Sequence, residues 1–182
     1  MRLAEDLPEP EARSDETRVR VLRAGVCATD LALARGYMSF SGIPGHEFVG
    51  LALDGPLAGQ RVVGEINAGC GNCPVCLAEG STAGPTGGSP TDPGTLDQRH
   101  CPERTVLGIL GRQGAFAEVL RLPDRNLLPV PEACATDAAV FCEPLAAAYA
   151  LGEATALVPG TRALVAGDGR LGLLCAHVLV EA

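Results

Sequence analysis

The sequence has 182 residues, of which 47% are hydrophobic, enough for one complete domain and part of a second. Its formal net charge is −8, and it shows none of the basic patches that nucleic-acid binding requires. The sequence has no apolar run of about 18 residues that would predict a membrane span, and the acidic N-terminus lacks the apolar part of a signal peptide. We therefore expect a cytoplasmic protein that binds neither nucleic acid nor membranes.

Short segments of alternating hydrophobicity dominate the first 150 residues and predict a mainly β domain. The predicted strands begin at TRVRVLRA, run from Glu47 to Leu53, and recur in QRVVGEIN and GAFAEVLRLP. A short helical turn is expected from Leu31. An Ala-rich helix is expected after a cap at Thr136, with Pro144 at a helix start or at a break between two helices.

Residues 81–98, STAGPTGGSPTDPGTLDQ, consist almost entirely of Gly, Pro, Ser, Thr and Asp. A segment of this composition has little apolar area to bury against the entropy cost of ordering it. It is therefore predicted to be a flexible surface insertion within the first domain.

Residues 151–182 differ in character from the preceding chain. RALVA predicts an apolar strand, GDGRLG a tight turn and LGLLCAHVLVEA an apolar helix, which together open a βαβ unit. Gly167, Gly169 and Gly172 form the G-x-G-x-x-G pattern that brings backbone amides close to a dinucleotide pyrophosphate. An ordinary tight turn is the alternative interpretation.

The stretch CGNCPVC places Cys70, Cys73 and Cys76 at two-residue spacing, which is typical of a structural zinc site. Cys101, the next cysteine, is the expected fourth ligand, since the entropy of closing the intervening loop grows only with the logarithm of its length. The alternative is a set of free or disulfide-prone thiols.

A second set combines Cys27 in GVCATD with His46 and Glu47 in PGHEFVG. A thiolate and an imidazole from separate loops, together with a carboxylate from a third segment, leave the fourth position of zinc free for water or substrate, as in catalytic sites. Taken singly, the histidine could be structural and the cysteine a small buried residue. Together they predict a catalytic zinc site.

These motifs, in this order, resemble the zinc-dependent medium-chain alcohol dehydrogenase family, in its polyol- and threonine-dehydrogenase-like branch. The resemblance covers GVCATDLALARGYMSFSGIPGHEFVG, GPLAGQRVVGEINAGCGNCPVC, HCPERTVLGILGRQGAFAEV, FCEPLAAAYA and ALVAGDGRLG. It implies a mainly β GroES-like barrel, the zinc-binding catalytic domain, in residues 1–150. The start of an α/β Rossmann nucleotide-binding domain, apparently truncated, would follow in residues 151–182.

The resemblance also implies the ligands of the catalytic zinc. Cys27 and His46 would bind the ion, and Glu143 in EPLA would take the third ligand position, with the adjacent Cys142 as the alternative. Glu47 resembles the family's carboxylate beside the metal, which is an occasional ligand.

Two further residues match positions that serve proton transfer and ligand orientation in the family. Thr29 would relay the substrate proton, and Asp30 would orient His46 through its other ring nitrogen. The relay histidine of some members is absent, because Leu31 and Ala32 occupy its neighbourhood.

The implied protein uses one catalytic zinc, one structural zinc and NAD or NADP to oxidise a small-molecule alcohol to a carbonyl compound, and forms a homo-oligomer when full length. The candidate alcohols are secondary alcohols, polyols and amino-alcohols. Two alternatives stay open: a catalytically inactive zinc-binding fragment, and a zinc-free quinone or enone reductase of the same superfamily.

Overall fold

The computed structural model describes residues 3–11, 13–77, 98–154, 158 and 160–181. These residues form eight strands: β1 (Glu16–Ala24), β2 (Phe48–Ala52), β3 (Arg61–Gly64), β4 (Asn67–Ala68), β5 (Thr105–Leu107), β6 (Gly111–Arg112), β7 (Val119–Pro123) and β8 (Leu127–Pro129). Their helices are α1 (Ala28–Ala34), α2 (Pro74–Leu77), α3 (Thr136–Ala139), α4 (Cys142–Ala154) and α5 (Arg170–Glu181). Each strand predicted from the first 150 residues is present.

The strands form two sheets. The larger one has the order β7-β1-β2-β3-β8, and every neighbouring pair in it is antiparallel. The smaller one has the order β4-β5-β6, with β4 antiparallel and β6 parallel to β5. β1 pairs with a strand on each side, so its alternating sequence lies inside the larger sheet rather than at an edge.

The alternation of side chains sorts the core into two parts. Phe48 and Val62 pack in the main core together with Leu107 of the smaller sheet. Their sequence neighbours Val49 and Val63 point to the opposite face, where they pack with Ala139 of α3. The short helix α3 therefore covers the outer face of the larger sheet.

The Ala-rich segment forms two helices rather than one, α3 and α4, with Pro144 in the first turn of α4. Of the two expected locations for this proline, a helix start or a break between helices, the structure shows the helix start, where its missing N–H costs nothing. The expected cap at Thr136 is wrong by one residue: Ala135 precedes the helix, and the Thr136 hydroxyl accepts a hydrogen bond from Arg61 at 3.0 Å.

Two other expectations need correction. The segment RALVA is not a strand, and Leu164 is 94% exposed, because a strand of that composition needs neighbours that the described residues do not provide. Gln98, placed in the flexible insertion, is 2% exposed and begins a short 3-10 helix, Gln98–His100. The rest of that insertion, residues 81–97, lies outside the described residues.

The predicted domain boundary at residue 150 lies inside α4, and it stays a prediction. Within the described part of the chain, no helix combines the length and apolar character needed to cross a bilayer.

We predict that Leu122→Ala lowers the free energy of unfolding by about 2–5 kcal/mol, because Leu122 is fully buried in the main core and its truncation leaves a cavity. The matched control is Leu164→Ala, which should change it by no more than about 0.5 kcal/mol because that side chain contributes little to packing. Urea denaturation of both variants measures the difference. Equal effects would contradict the assignment of the core.

Candidate metal centres

The pairing of β1 with β2 brings the two parts of the first metal set together. Ala24 lies opposite Phe48 in this antiparallel pair. The residues that follow β1 therefore lie beside those that precede β2. Cys27 comes three residues after Ala24, while His46 and Glu47 come directly before Phe48, so the register places all three at one end of the pair.

The ligand atoms of Cys27, His46 and Glu47 all lie within 4.8 Å of one another. His46 is buried, and the other two are half-buried. Gly25 makes room for this set, since any side chain there would collide with the Glu47 carboxylate. A thiol, an imidazole and a carboxyl group at this spacing suit a zinc ion with an open fourth position.

Asp30 connects the elements around this set. Its side chain is 1% exposed. Oδ2 accepts a hydrogen bond from the Cys27 N–H at 2.8 Å, and Oδ1 accepts one from the Gly45 N–H at 3.1 Å. His46 Nδ1 approaches Oδ1 to 3.4 Å without hydrogen-bond geometry, and it has no hydrogen-bond partner among the described residues. A role for Asp30 in orienting His46 fits this approach and stays a prediction.

Thr29 lies beside the thiol, and its hydroxyl oxygen accepts from Cys27 with Sγ and Oγ1 3.7 Å apart. Its location suits the expected proton relay. Leu31, which lies near the position of the relay histidine in some family members, is half exposed on α1.

Glu143 is not part of the three-residue set. It is half-buried at the start of α4. Burial raises the pKa of its carboxyl to about 7, and the charge of nearby Glu47 contributes to this shift. Glu65 and Asp30 act in the same direction. Glu143 therefore lies near the acidic residues around the set, while Glu47 is the carboxylate within it.

The second metal set is built in the same way by β4 and β5. Ala68 lies opposite Thr105 in this antiparallel pair, which brings the chain after β4 next to the chain before β5. The Sγ atoms of Cys70, Cys73, Cys76 and Cys101 consequently all lie within 4.8 Å of one another.

The geometry of this four-cysteine cluster fits zinc. Sγ of Cys73 and Sγ of Cys101 are 3.7 Å apart. In a tetrahedron with Zn–S bonds of about 2.3 Å, neighbouring sulfurs are about 3.8 Å apart. Hydrogen bonds, led by that from the Asn72 amide, lower the pKa of Cys70 to about 7, whereas burial raises the pKa of Cys76 to about 11. Metal binding must therefore release protons.

Two residues that the sequence analysis did not single out support the cluster. Arg125 donates through Nη2 to the Gly69 carbonyl at 2.7 Å and through Nε to Gln98 Oε1 at 3.3 Å. Both acceptors lie next to the cysteines in space, since a Cβ at Gly69 would approach Cys76 Sγ to 2.7 Å. Local sequence carries no signal for this contact, because Arg125 is 56 residues from Gly69.

The glycine-rich motif forms the predicted turn and helix start. Gly167 has φ +122°, a conformation that favours glycine, and α5 begins at Arg170. A side chain at Gly172 would collide with the Gly167 carbonyl, whereas the space around Gly169 is open. The turn thus leaves its second glycine accessible, as binding of a pyrophosphate would require.

With this geometry in place, comparison with known proteins defines the family. The alcohol dehydrogenase GroES-like domain matches residues 13–132. The chain belongs to this family, and the expected fold of its first domain is confirmed.

The chain is similar over almost all its length to the L-threonine 3-dehydrogenase of Streptomyces coelicolor, with 34% identity over 95% of this chain and 48% of that protein. Alcohol dehydrogenase TADH from Thermus sp. ATN1 superposes with a TM-score of 0.78 at 29% identity, covering 97% of this chain and 52% of that one.

RspB from E. coli CFT073, described as a short chain alcohol dehydrogenase complexed with NADH, superposes with a TM-score of 0.77 at 28% identity, covering 93% of this chain and 47% of that one. The chain thus spans about half the length of these relatives.

We predict that Cys73→Ser removes one zinc ion per chain and lowers the melting temperature, because a closed four-thiolate site stabilises its own loop. Cys175→Ser, on α5 outside both sets, is the control and should retain the full zinc content. Zinc content is measured by atomic absorption and melting by circular dichroism. A Cys73→Ser variant with unchanged zinc and melting temperature would exclude a structural zinc here.

Proposed function

We propose that this protein is a zinc-dependent, NAD(P)-linked oxidoreductase that oxidises an alcohol to a carbonyl compound. The observation that supports this most directly is the approach of Cys27, His46 and Glu47 ligand atoms to within 4.8 Å of one another. The names of the relatives, which include threonine and alcohol dehydrogenases, agree with it.

The residues divide the work as follows. Cys27, His46 and a carboxylate would hold the zinc ion, which supplies a Lewis acid that lowers the proton affinity of the alcohol oxygen. The Thr29 hydroxyl, beside the Cys27 thiol, would take up the substrate proton on its oxygen while releasing its own proton to water. Gly167, Gly169 and Gly172 shape the turn that binds the pyrophosphate of NAD or NADP, the cofactor that takes up the substrate hydride.

Glu47 is the carboxylate ligand in this proposal. Glu47 belongs to the three-residue set. Glu143 lies outside that set, although the charge of Glu47 contributes to its raised pKa. The family resemblance instead implies Glu143 at this position, with the exposed Cys142 next to it as the alternative.

The substrate class follows from the site and from the relatives. A zinc ion held by one thiolate, one imidazole and one carboxylate is a harder Lewis acid than one held by two thiolates and suits an exchangeable oxygen ligand. Secondary alcohols, polyols and amino-alcohols such as threonine are the proposed substrates. The protein would act in the cytoplasm as a homo-oligomer.

We predict that Cys27→Ser abolishes NAD(P)⁺ reduction and lowers zinc content by one ion per chain, because it removes a thiolate ligand of the open site. The fold should be unchanged, since Cys27 is only half-buried at the start of α1. Cys134→Ser is the control with full zinc content and turnover. Retained turnover in Cys27→Ser would exclude its ligand role.

Nucleotide binding by the unsubstituted protein distinguishes an enzyme from an inactive zinc-binding fragment. Saturable binding of NADH or NADPH in a fluorescence titration is expected for the enzyme. A protein that binds zinc but neither nucleotide would favour the inactive fragment. A protein that contains no zinc would favour the quinone or enone reductase.

We predict that Glu47→Gln weakens zinc binding at the open site by more than about 100-fold, whereas Glu143→Gln weakens it by about tenfold or less. The reason is that the first change removes a ligand oxygen and the second only a neighbouring charge. Competition with a chromophoric chelator measures both affinities. The reverse order would assign the ligand position to Glu143.

A further inference from the structure

The peptide group between Val26 and Cys27 is held at both ends. Its N–H, on Cys27, donates to Asp30 Oδ2 at 2.8 Å. Its C=O, on Val26, accepts a hydrogen bond from Arg170 Nη1 at 2.6 Å. Asp30 is thus a partner from the adjoining helix, whereas Arg170 is 144 residues away from Val26 along the chain.

The donor at the carbonyl end belongs to the glycine-rich segment. Arg170 is the first residue of α5 and follows Gly169 directly. It also lies outside residues 13–132, the part of the chain that matches the GroES-like domain. A contact from this segment therefore reaches the loop that carries the first residue of the metal set.

The hydrogen bond is well suited to fix that loop. A guanidinium donor and a carbonyl acceptor at 2.6 Å form a short, charge-assisted bond, which is stronger than a bond between neutral groups. A peptide group that is bonded at both ends is also polarised, so each bond strengthens the other. The loop is further held by the Gly25 amide, which donates to the Glu47 carbonyl at 2.8 Å.

We infer that Arg170 is a positioning residue for the metal ligand Cys27. With both ends of the preceding peptide group held, its plane cannot rotate freely, and this fixes the φ of Cys27 at −89°. That angle sets the direction of the Cα–Cβ bond from which the Cys27 thiol extends toward His46 and Glu47. The inference rests on the proposed function, in which Cys27 binds the metal ion.

The consequence is that the metal site is not complete within the GroES-like domain. The glycine-rich segment contributes the outer support of one ligand through Arg170. Support of this kind orients ligands and changes metal affinity without touching the metal.

The test replaces zinc by Co²⁺ in the 182-residue chain and follows the thiolate-to-cobalt absorption band of the open site, defined as the band that Cys27→Ser removes. We expect Arg170→Met to shift this band and to weaken Co²⁺ binding there by about 10- to 100-fold. Arg170→Lys, which keeps a cationic donor, should restore most of the affinity. The bands of the four-cysteine cluster serve as the internal reference and should not change.

The matched control is Arg162→Met, which removes another exposed arginine from the same segment and should leave the band and affinity unchanged. An unshifted band and equal affinity in Arg170→Met would overturn the inference while leaving the proposed function intact. The loss of the same amount of affinity in Arg162→Met would also overturn it, since a general charge effect would then suffice. If Cys27→Ser removes no band, the ligand role of Cys27 fails, and both the proposed function and this inference fall.

Discussion

The antiparallel register of β1 and β2 is the constraint on which the first metal set depends. Because Ala24 pairs with Phe48, the chain leaves one strand and enters the other at the same end of the sheet. Cys27 and the His46–Glu47 pair are close only because of this register. A shift by one residue would also move Phe48 out of the main core, so the packing of the sheet and the geometry of the site stabilise the same arrangement.

Antiparallel strand pairing also builds the four-cysteine cluster, but the resulting site is closed. β4 and β5 bring Cys70 and Cys101 together, and the tight C-x-x-C-x-x-C spacing supplies the other two thiols. Four thiols satisfy a tetrahedral ion and leave no position open, whereas one thiol, one imidazole and one carboxyl leave a position for substrate. The strand pairing thus determines where the residues meet, and the residue types determine which chemistry each site supports.

The sequence predicts those features that depend on local pattern. Alternation identified β1, β2, β3 and β7 but not the short strands β4, β5, β6 and β8, the cysteine spacing identified the four-cysteine cluster, and the glycine-rich motif forms the predicted turn before α5. Features that depend on distant neighbours were not predictable in this way. RALVA has the composition of a strand but no pairing partner among the described residues, and Gln98 is polar but buried through its contact with Arg125.

The carboxylate ligand of the open site stays a prediction. Family resemblance favours Glu143, whereas Glu47, the residue after His46, lies within the three-residue set. The sequence alone does not decide between them. The contact of Arg170 with Val26 likewise cannot be predicted from local sequence, because the two residues are 144 positions apart.

Anomalous diffraction at the zinc edge, recorded from crystals of the zinc-loaded protein, is the most direct test of the two metal sites. We expect two peaks per chain, one within the four-cysteine cluster and one between Cys27, His46 and Glu47. The first peak is the internal control for zinc loading. A peak at the four cysteines with no density among Cys27, His46 and Glu47 would exclude the open zinc site.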